Sequence, residues 1–157
     1  MKKKLFSFAI AAITFLAFNT HASAQRGSSY DNGLGLWIDA GNGGTFVGPH
    51  LKHYFNSNDA GQINLLFGNS ATILGAEYTY NKAIDGAPGL KWNIGVGPQL
   101  QFAKHFTGVA IRPIAGLEYK VSGAPIAINF DWRPWWQLNH GSDFEAGRFG
   151  IGFKYTF

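Results

Sequence analysis

The sequence has 157 residues with 13 basic and 9 acidic side chains, and its formal net charge is +4 at pH 7. It contains no cysteine, which excludes a disulfide framework and a thiolate metal site. Three of the basic residues are Lys2, Lys3 and Lys4, so the rest of the chain is close to neutral and gives no argument for nucleic-acid binding.

The first 24 residues have the three parts of a secretory signal peptide. The lysines are followed by an apolar run from Leu5 to Phe18, and Ala22-Ser23-Ala24 is a small-residue site for cleavage before Gln25. The run is shorter than the ~20 residues that a membrane-spanning helix needs, which argues against an anchor. We expect residues 1–24 to be a cleavable signal peptide and residues 25–157 to form a single exported domain.

One long stretch indicates the kind of strand from which this domain is built. From Leu90 to Phe102, apolar residues alternate with polar residues or glycine. A period of two predicts a strand with one apolar and one polar face. A soluble strand commonly has about 5–6 residues, whereas a strand that crosses a bilayer needs about 9–11. The stretch therefore predicts a strand of membrane-spanning length.

The same alternation, interrupted by turn residues, predicts eight strands in residues 25–157. Their approximate ranges are Gly33–Ala40, Thr45–Phe55, Gln62–Phe67, Thr72–Asn81, Leu90–Phe102, Val109–Val121, Ile126–Leu138 and Ala146–Phe157. An even number of antiparallel strands brings both termini to the same side, as a closed up-and-down barrel requires. We predict an all-β fold, an eight-stranded antiparallel up-and-down transmembrane β-barrel.

The alternation also predicts which side chains share the lumen. One face of the strands collects nearly all the charged residues, and eight strands leave an interior just wide enough to be filled by side chains. Buried charges need partners, so we expect a polar network of Glu77, Arg112, Glu118, Asp131 and Arg133 in the lumen. The alternative is a soluble lipocalin-type barrel with an apolar lumen. The smooth apolar outer face favours the membrane barrel.

Four prolines lie within the predicted strands. Pro49, Pro98, Pro113 and Pro134 all fall on the outward face, and each removes a rung of the ladder or forces a bulge. We interpret them as local bends. Pro98, Pro113 and Pro134 are also candidates for a lateral gap in the wall, through which a lipid chain could enter.

The carboxy-terminal part of the chain resembles a known class of protein. The ending GRFGIGFKYTF alternates apolar residues up to a terminal phenylalanine, and GLEYKVSGAPIAINFDWRPWW lies shortly before it. These motifs resemble the last hairpins of small outer-membrane β-barrels common in Bacteroidetes-type bacteria. The whole architecture resembles the eight-stranded OmpA/OmpX/OmpW-like barrels.

The resemblance implies a location and a set of partners. It implies the outer membrane of a Gram-negative bacterium, reached by export, and contact with outer-membrane lipids and lipopolysaccharide. It also implies recognition by the outer-membrane assembly machinery through the strand that ends at Phe157. It implies little about activity, because such folds host many roles.

Catalytic chemistry has one set of candidate residues. Lipid A acyltransferases and deacylases are also eight-stranded barrels, and they need a His base near a Ser. His140, Ser142 and Asp143 are the candidates, but they lie in the last outer loop and do not match the deacylase pattern of His and Ser within a lipid-facing strand. His50 and His53 fall on opposite faces of one strand. No cluster has metal-ligand spacing, so we expect no metal and no cofactor.

We expect a monomeric outer-membrane barrel with a structural or interaction role, in membrane integrity or surface contact, rather than an enzyme. Two alternatives stay open. One is a lipid A-modifying acyltransferase or deacylase with lateral lipid access between the proline-containing strands. The other is a narrow channel for small hydrophobic solutes. A lumen plugged by ion pairs argues against a general diffusion porin.

Overall fold

The structure is a computed structural model that describes residues 30–139 and 141–157. The predicted signal peptide and His140 lie outside the described residues. Within these ranges, no helix has the length and hydropathy needed to cross a membrane. The strands are β1 (Asn32–Gly41), β2 (Phe46–Tyr54), β3 (Asp59–Gly68), β4 (Ala71–Ala83), β5 (Leu90–Ala103), β6 (Phe106–Lys120), β7 (Ile126–Trp132), β8 (Trp135–Gln137), β9 (Asp143–Glu145) and β10 (Arg148–Thr156).

The strands close into an eight-stranded antiparallel barrel, which confirms the predicted fold class. Each strand from β1 to β6 pairs with the next along the chain, and β10 pairs with both β7 and β1 to close the sheet. The short strands β8 and β9 pair with each other, and β8 also pairs with β6. Thus β7 and β8 together form the seventh strand of the barrel, with an interruption between them. In the same way β9 and β10 together form the eighth strand.

The pairing register gives the stagger of the barrel. A path across register partners leaves β6 at Lys120 and returns to β6 ten residues earlier, passing through Ala127, Lys154, Gly35, His50, Asn64, Gly75, Gln99 and Ala110. Ten residues at about 3.3 Å each, set against eight strands about 4.8 Å apart, correspond to a strand tilt of about 40°. A ten-residue strand at this tilt rises about 25 Å along the barrel axis.

Side chains alternate between the exterior and the lumen along the strands. In β2 and β10 every second residue is buried and the residues between are exposed. The exposed positions carry large apolar side chains such as Leu36, Ile94 and Phe130, each more than half exposed. The buried positions carry most of the charged residues of the strands. A lipocalin-type arrangement, with an apolar lumen and a charged exterior, is therefore wrong for this chain.

The seventh predicted strand, Ile126–Leu138, is interrupted. Pairing of β6 with β7 stops at Ala115 opposite Trp132, and pairing with β8 resumes at Ile111 opposite Trp136. Proline has no N–H to donate to a ladder, so Pro134 bends the strand at this point. Pro134 is buried. Our expectation that its side chain faces outward is wrong, because simple alternation does not continue through the bend.

Candidate functional site

The lumen is the candidate functional site, because charged side chains from all around the barrel converge there. Within the described part of the chain, buried cations outnumber buried anions there: Lys52, Lys91, Arg112, Arg133, Arg148 and Lys154 against Asp39, Glu77, Glu118 and Asp131. We call the end of the barrel that carries the termini the terminal end, and the opposite end the distal end. The charges form three clusters between these ends.

The terminal cluster is built around the carboxylate of Glu118. Lys52 Nζ lies 2.9 Å and Lys154 Nζ 2.7 Å from its Oε2 atom. The hydroxyls of Tyr30 and Tyr54 donate to Oε1 at 2.7 and 3.0 Å. One buried carboxylate thus accepts hydrogen bonds from four groups, two of them cationic, and such charge-assisted bonds are the stronger kind.

Tyr30 and Tyr54 cover the terminal end of the lumen. Their rings meet edge to face, with centroids 5.2 Å apart. The ammonium groups of Lys52 and Lys91 each lie 4.7 Å from the centre of the Tyr54 ring, within range of a cation–π interaction. Burial, with the charge of Glu118, raises the pKa of Tyr30 well above its ordinary value. The Tyr30 hydroxyl therefore stays protonated and able to donate.

The middle cluster is built around Arg133. Its guanidinium pairs with Glu77 and lies 3.9 Å from Asp131. The same group lies over the Trp37 ring, 4.6 Å from its centre. Gln99 donates a second hydrogen bond to Glu77. Buried charges at the middle of the lumen are thus paired, as their desolvation requires.

Trp37 is the largest fully buried side chain of the described lumen. It fits because β10 presents glycines opposite it: a Cβ at Gly150 would lie 2.3 Å, and one at Gly152 2.5 Å, from the indole. His50 packs against the ring at a centroid distance of 4.8 Å. Sequence analysis did not single out Trp37. The alternation in β1 places it on the same face as Gly35 and Asp39, so its position in the lumen could have been predicted.

The distal cluster is built around Asp39. Arg112 and Arg148 both pair with its carboxylate, and Arg148 Nε lies 3.0 Å from Oδ1. Arg112 also donates to the backbone carbonyls of Arg133 and Pro134. These carbonyls lie where β6 is unpaired, so the guanidinium closes the interruption in the wall from inside. Apolar side chains cover this cluster on the distal side: Phe46, Leu66, Ile73 and Trp135.

The structure places all five predicted network residues in the lumen, but in three clusters rather than one. Glu77, Asp131 and Arg133 belong to the middle cluster, Arg112 to the distal cluster and Glu118 to the terminal cluster. Spacing along the chain placed them on the same face. It did not reveal which side chains meet across the lumen.

The three lateral-gap candidates lie in different settings. Pro98 is exposed and Pro113 half-buried, and both belong to a continuous β5–β6 ladder that runs from Leu90 to Ala103. The unpaired stretch lies instead between β6 and the β7–β8 bend, at Pro134. Arg112 fills that stretch from inside.

Of the catalytic candidates, Ser142 and Asp143 lie within the described residues and His140 lies outside them. Ser142 Oγ accepts a hydrogen bond of 3.2 Å from Trp136 Nε1, and Asp143 lies exposed at the start of β9. Within residues 30–139 and 141–157, no three His, Asp or Glu side chains are grouped so that they could hold a metal ion.

Two solved structures are similar to this barrel. The N-terminal β-barrel domain of Pseudomonas aeruginosa OprF matches with a TM-score of 0.60 at 13% identity, covering 83% of this chain and 100% of that one. Neisserial surface protein A, NspA, matches with a TM-score of 0.51 at 13% identity, covering 81% of this chain and 95% of that one. No family model and no curated protein matches the sequence. The chain thus has the fold of the small eight-stranded barrels of OmpA-like type.

Proposed function

We propose that the protein is an outer-membrane β-barrel of a Gram-negative bacterium with a structural or interaction role, in membrane integrity or surface contact. The observation that carries the proposal is the distribution of side chains: large apolar groups face outward, and charged groups, most of them in ion pairs, face inward. Water would penalise this exterior, whereas a bilayer core accepts it. A closed barrel also leaves no unpaired edge in the lipid.

The dimensions support a membrane-spanning barrel. Strands tilted by about 40° carry an apolar band about 25 Å tall over ten residues, which is the height typical of outer-membrane barrels. Aromatic side chains are exposed near both ends, among them Phe55 and Tyr155 toward the terminal end and Phe67 and Trp136 toward the distal end. Such rings favour the two membrane–water interfaces.

The packed lumen supports a role other than free solute passage. Three ionic clusters, with Trp37 between two of them, cross the interior from one end to the other. The lipid-modifying alternative has less support, because Arg112 closes the interruption at Pro134. A narrow channel for small hydrophobic solutes also needs an opening in the wall near the prolines, so the position of Arg112 weakens this alternative too.

The partners follow from the same proposal. Lipids and lipopolysaccharide would contact the apolar wall of a monomeric barrel. The strand that ends at Phe157 would be read by the outer-membrane assembly machinery before the barrel closes. In the closed barrel the backbones of Asn32 and Phe157 exchange two hydrogen bonds, of 2.8 and 2.9 Å. Phe157 therefore takes part in the pairing of β1 with β10 that closes the barrel.

A charge placed on the outer wall tests whether that wall contacts lipid. Val96 lies midway along β5 and is 49% exposed. Val96→Lys should reduce the free energy of unfolding in lipid vesicles by about 2–4 kcal/mol if the site is in the bilayer core. An exposed lysine on a soluble protein would change it by less than about 0.5 kcal/mol.

The matched control is Ser122→Lys, in the exposed β6–β7 turn. It should leave the stability in vesicles unchanged. Fractionation of cells that express the full chain should find the protein in the outer membrane, and planar bilayers should show no steady conductance. Equal stabilities for the two lysine variants, or recovery of the protein in the periplasm without detergent, would refute the location. A stable open conductance would refute the plugged lumen.

A further inference from the structure

A small cavity opens at the distal end of the barrel and is not used by the function proposed above. Its volume is about 210 Å³. Phe46, Ile73 and Trp135 line it from three different strands. Phe46 and Ile73 are only 3% and 1% exposed, so the accessible apolar surface is mostly that of the half-buried Trp135. All three residues belong to the apolar layer that covers the distal cluster, so this surface is held by the packed lumen beneath it. We call this space the distal cavity.

The polar part of the distal cavity has hydrogen-bond acceptors to spare. The exposed carboxylate of Asp143 accepts no hydrogen bond from the described residues. Glu145 accepts from Asn42 Nδ2 and from a backbone N–H through Oε1, which leaves Oε2. The Gln101 amide also lines the cavity. A ligand that donates several hydrogen bonds would satisfy these groups.

Among the described residues that line the cavity, the one cation is Arg148, and it is already engaged. Arg148 pairs with Asp39 through Nε and Nη2, and its Nη1 donates to the Asn42 carbonyl. It does not offset Asp143 and Glu145 as a free cation would. Phosphate and carboxylate ligands are therefore disfavoured. The acceptor-rich wall favours hydroxyl groups or an ammonium group.

The volume sets the size of the ligand. Sites for drug-sized molecules commonly measure about 300–1,000 Å³, so a cavity of 210 Å³ admits roughly one small ring. An acyl chain would leave the carboxylates unsatisfied, at a desolvation cost. A ligand is needed that has an apolar face for Trp135 and hydroxyl groups around its edge.

We propose that the distal cavity binds a single sugar unit. The C–H face of a pyranose ring packs against the half-buried Trp135. Its hydroxyl groups donate to the carboxylates of Asp143 and Glu145 and bond the Gln101 amide. Because the cavity is open, the unit can be free or the end of a longer chain. This inference goes beyond the proposed function and does not depend on which compartment the distal end faces.

The test is a titration of the protein purified from membranes in an amine-oxide detergent, which carries no sugar headgroup. The probes are methyl glucoside, glucosamine and choline. The readout is the indole N–H resonance of Trp135, assigned with a Trp135→Phe variant. We expect methyl glucoside to shift this resonance along a saturable curve, and glucosamine to bind at least as well because its ammonium meets the two carboxylates.

Two variants locate the binding. Asp143→Ala should weaken methyl glucoside binding about tenfold, the loss expected for a hydrogen bond to a charged acceptor. Asp85→Ala, in the loop at the terminal end, should leave it unchanged. No saturable shift with methyl glucoside, an unchanged affinity in Asp143→Ala, or tighter binding of choline than of methyl glucoside would each overturn the proposal. The last result would replace the sugar with an organic cation.

Discussion

Replacement of Glu118 by glutamine tests whether the terminal cluster stabilises the barrel. Glu118 is almost fully buried and accepts hydrogen bonds from Lys52, Lys154, Tyr30 and Tyr54. Glutamine keeps the volume but has one acceptor oxygen, and its amide N–H₂ would point at groups that are themselves donors. Two buried ammonium groups would lose their counter-ion.

The expected loss is about 3–5 kcal/mol, the range found when one partner of a buried ion pair is removed. The assay is urea-induced unfolding and refolding in lipid vesicles, followed by tryptophan fluorescence. Asp85→Asn removes a carboxylate charge from an exposed loop and should change the free energy of unfolding by less than about 0.5 kcal/mol. If Glu118→Gln were as stable as Asp85→Asn, the terminal cluster would not contribute the stability that its geometry implies.

Three further changes have distinct expected results. Trp37→Ala should cost about 3–5 kcal/mol in the same urea assay, because it empties the centre of a packed lumen. Arg112→Met should speed amide hydrogen exchange at Trp135, next to the unpaired stretch of wall, and leave exchange in the β3–β4 hairpin unchanged. Phe157→Ser should lower the amount of folded barrel in cells without slowing refolding of the purified protein, if the assembly machinery reads the last strand; equal amounts in cells would contradict that role.

The fold could be predicted from the sequence because a strand pattern of period two needs only local information. In β5, Leu90–Ala103 keeps nearly the same limits as the predicted strand. The separation of charged from apolar positions then decided which face is the lumen. Prediction failed at Pro134, where a bend places two consecutive buried residues, Arg133 and Pro134; beyond the bend Trp136 and Leu138 are exposed, as predicted.

The pairing inside the lumen could not be predicted, for a geometric reason. Partners there meet across the barrel, where tilt, stagger and side-chain length decide contact. Asp39 meets Arg148 at a separation of 109 residues, and Tyr30 meets Glu118 at 88. Arg112 was expected to join Asp131 and Glu118 because the strands are consecutive. The barrel instead turns it toward Asp39.

The charged lumen also explains why this barrel adopts one register. A slip of one residue moves every side chain of a strand to the opposite face. In β10 such a slip would bring Arg148 and Lys154 onto the outer wall, at a cost that rises from about 0–1 kcal/mol near the interfaces toward the midplane, and would bring Phe149 and Phe153 into the lumen. Glycines at 150 and 152 would then no longer face Trp37. Apolar side chains could fill the same lumen. A one-residue slip would then exchange apolar residues for apolar residues on the lipid-facing wall, and the bilayer would not favour one register over the other. The ion pairs therefore specify the register as well as fill the interior.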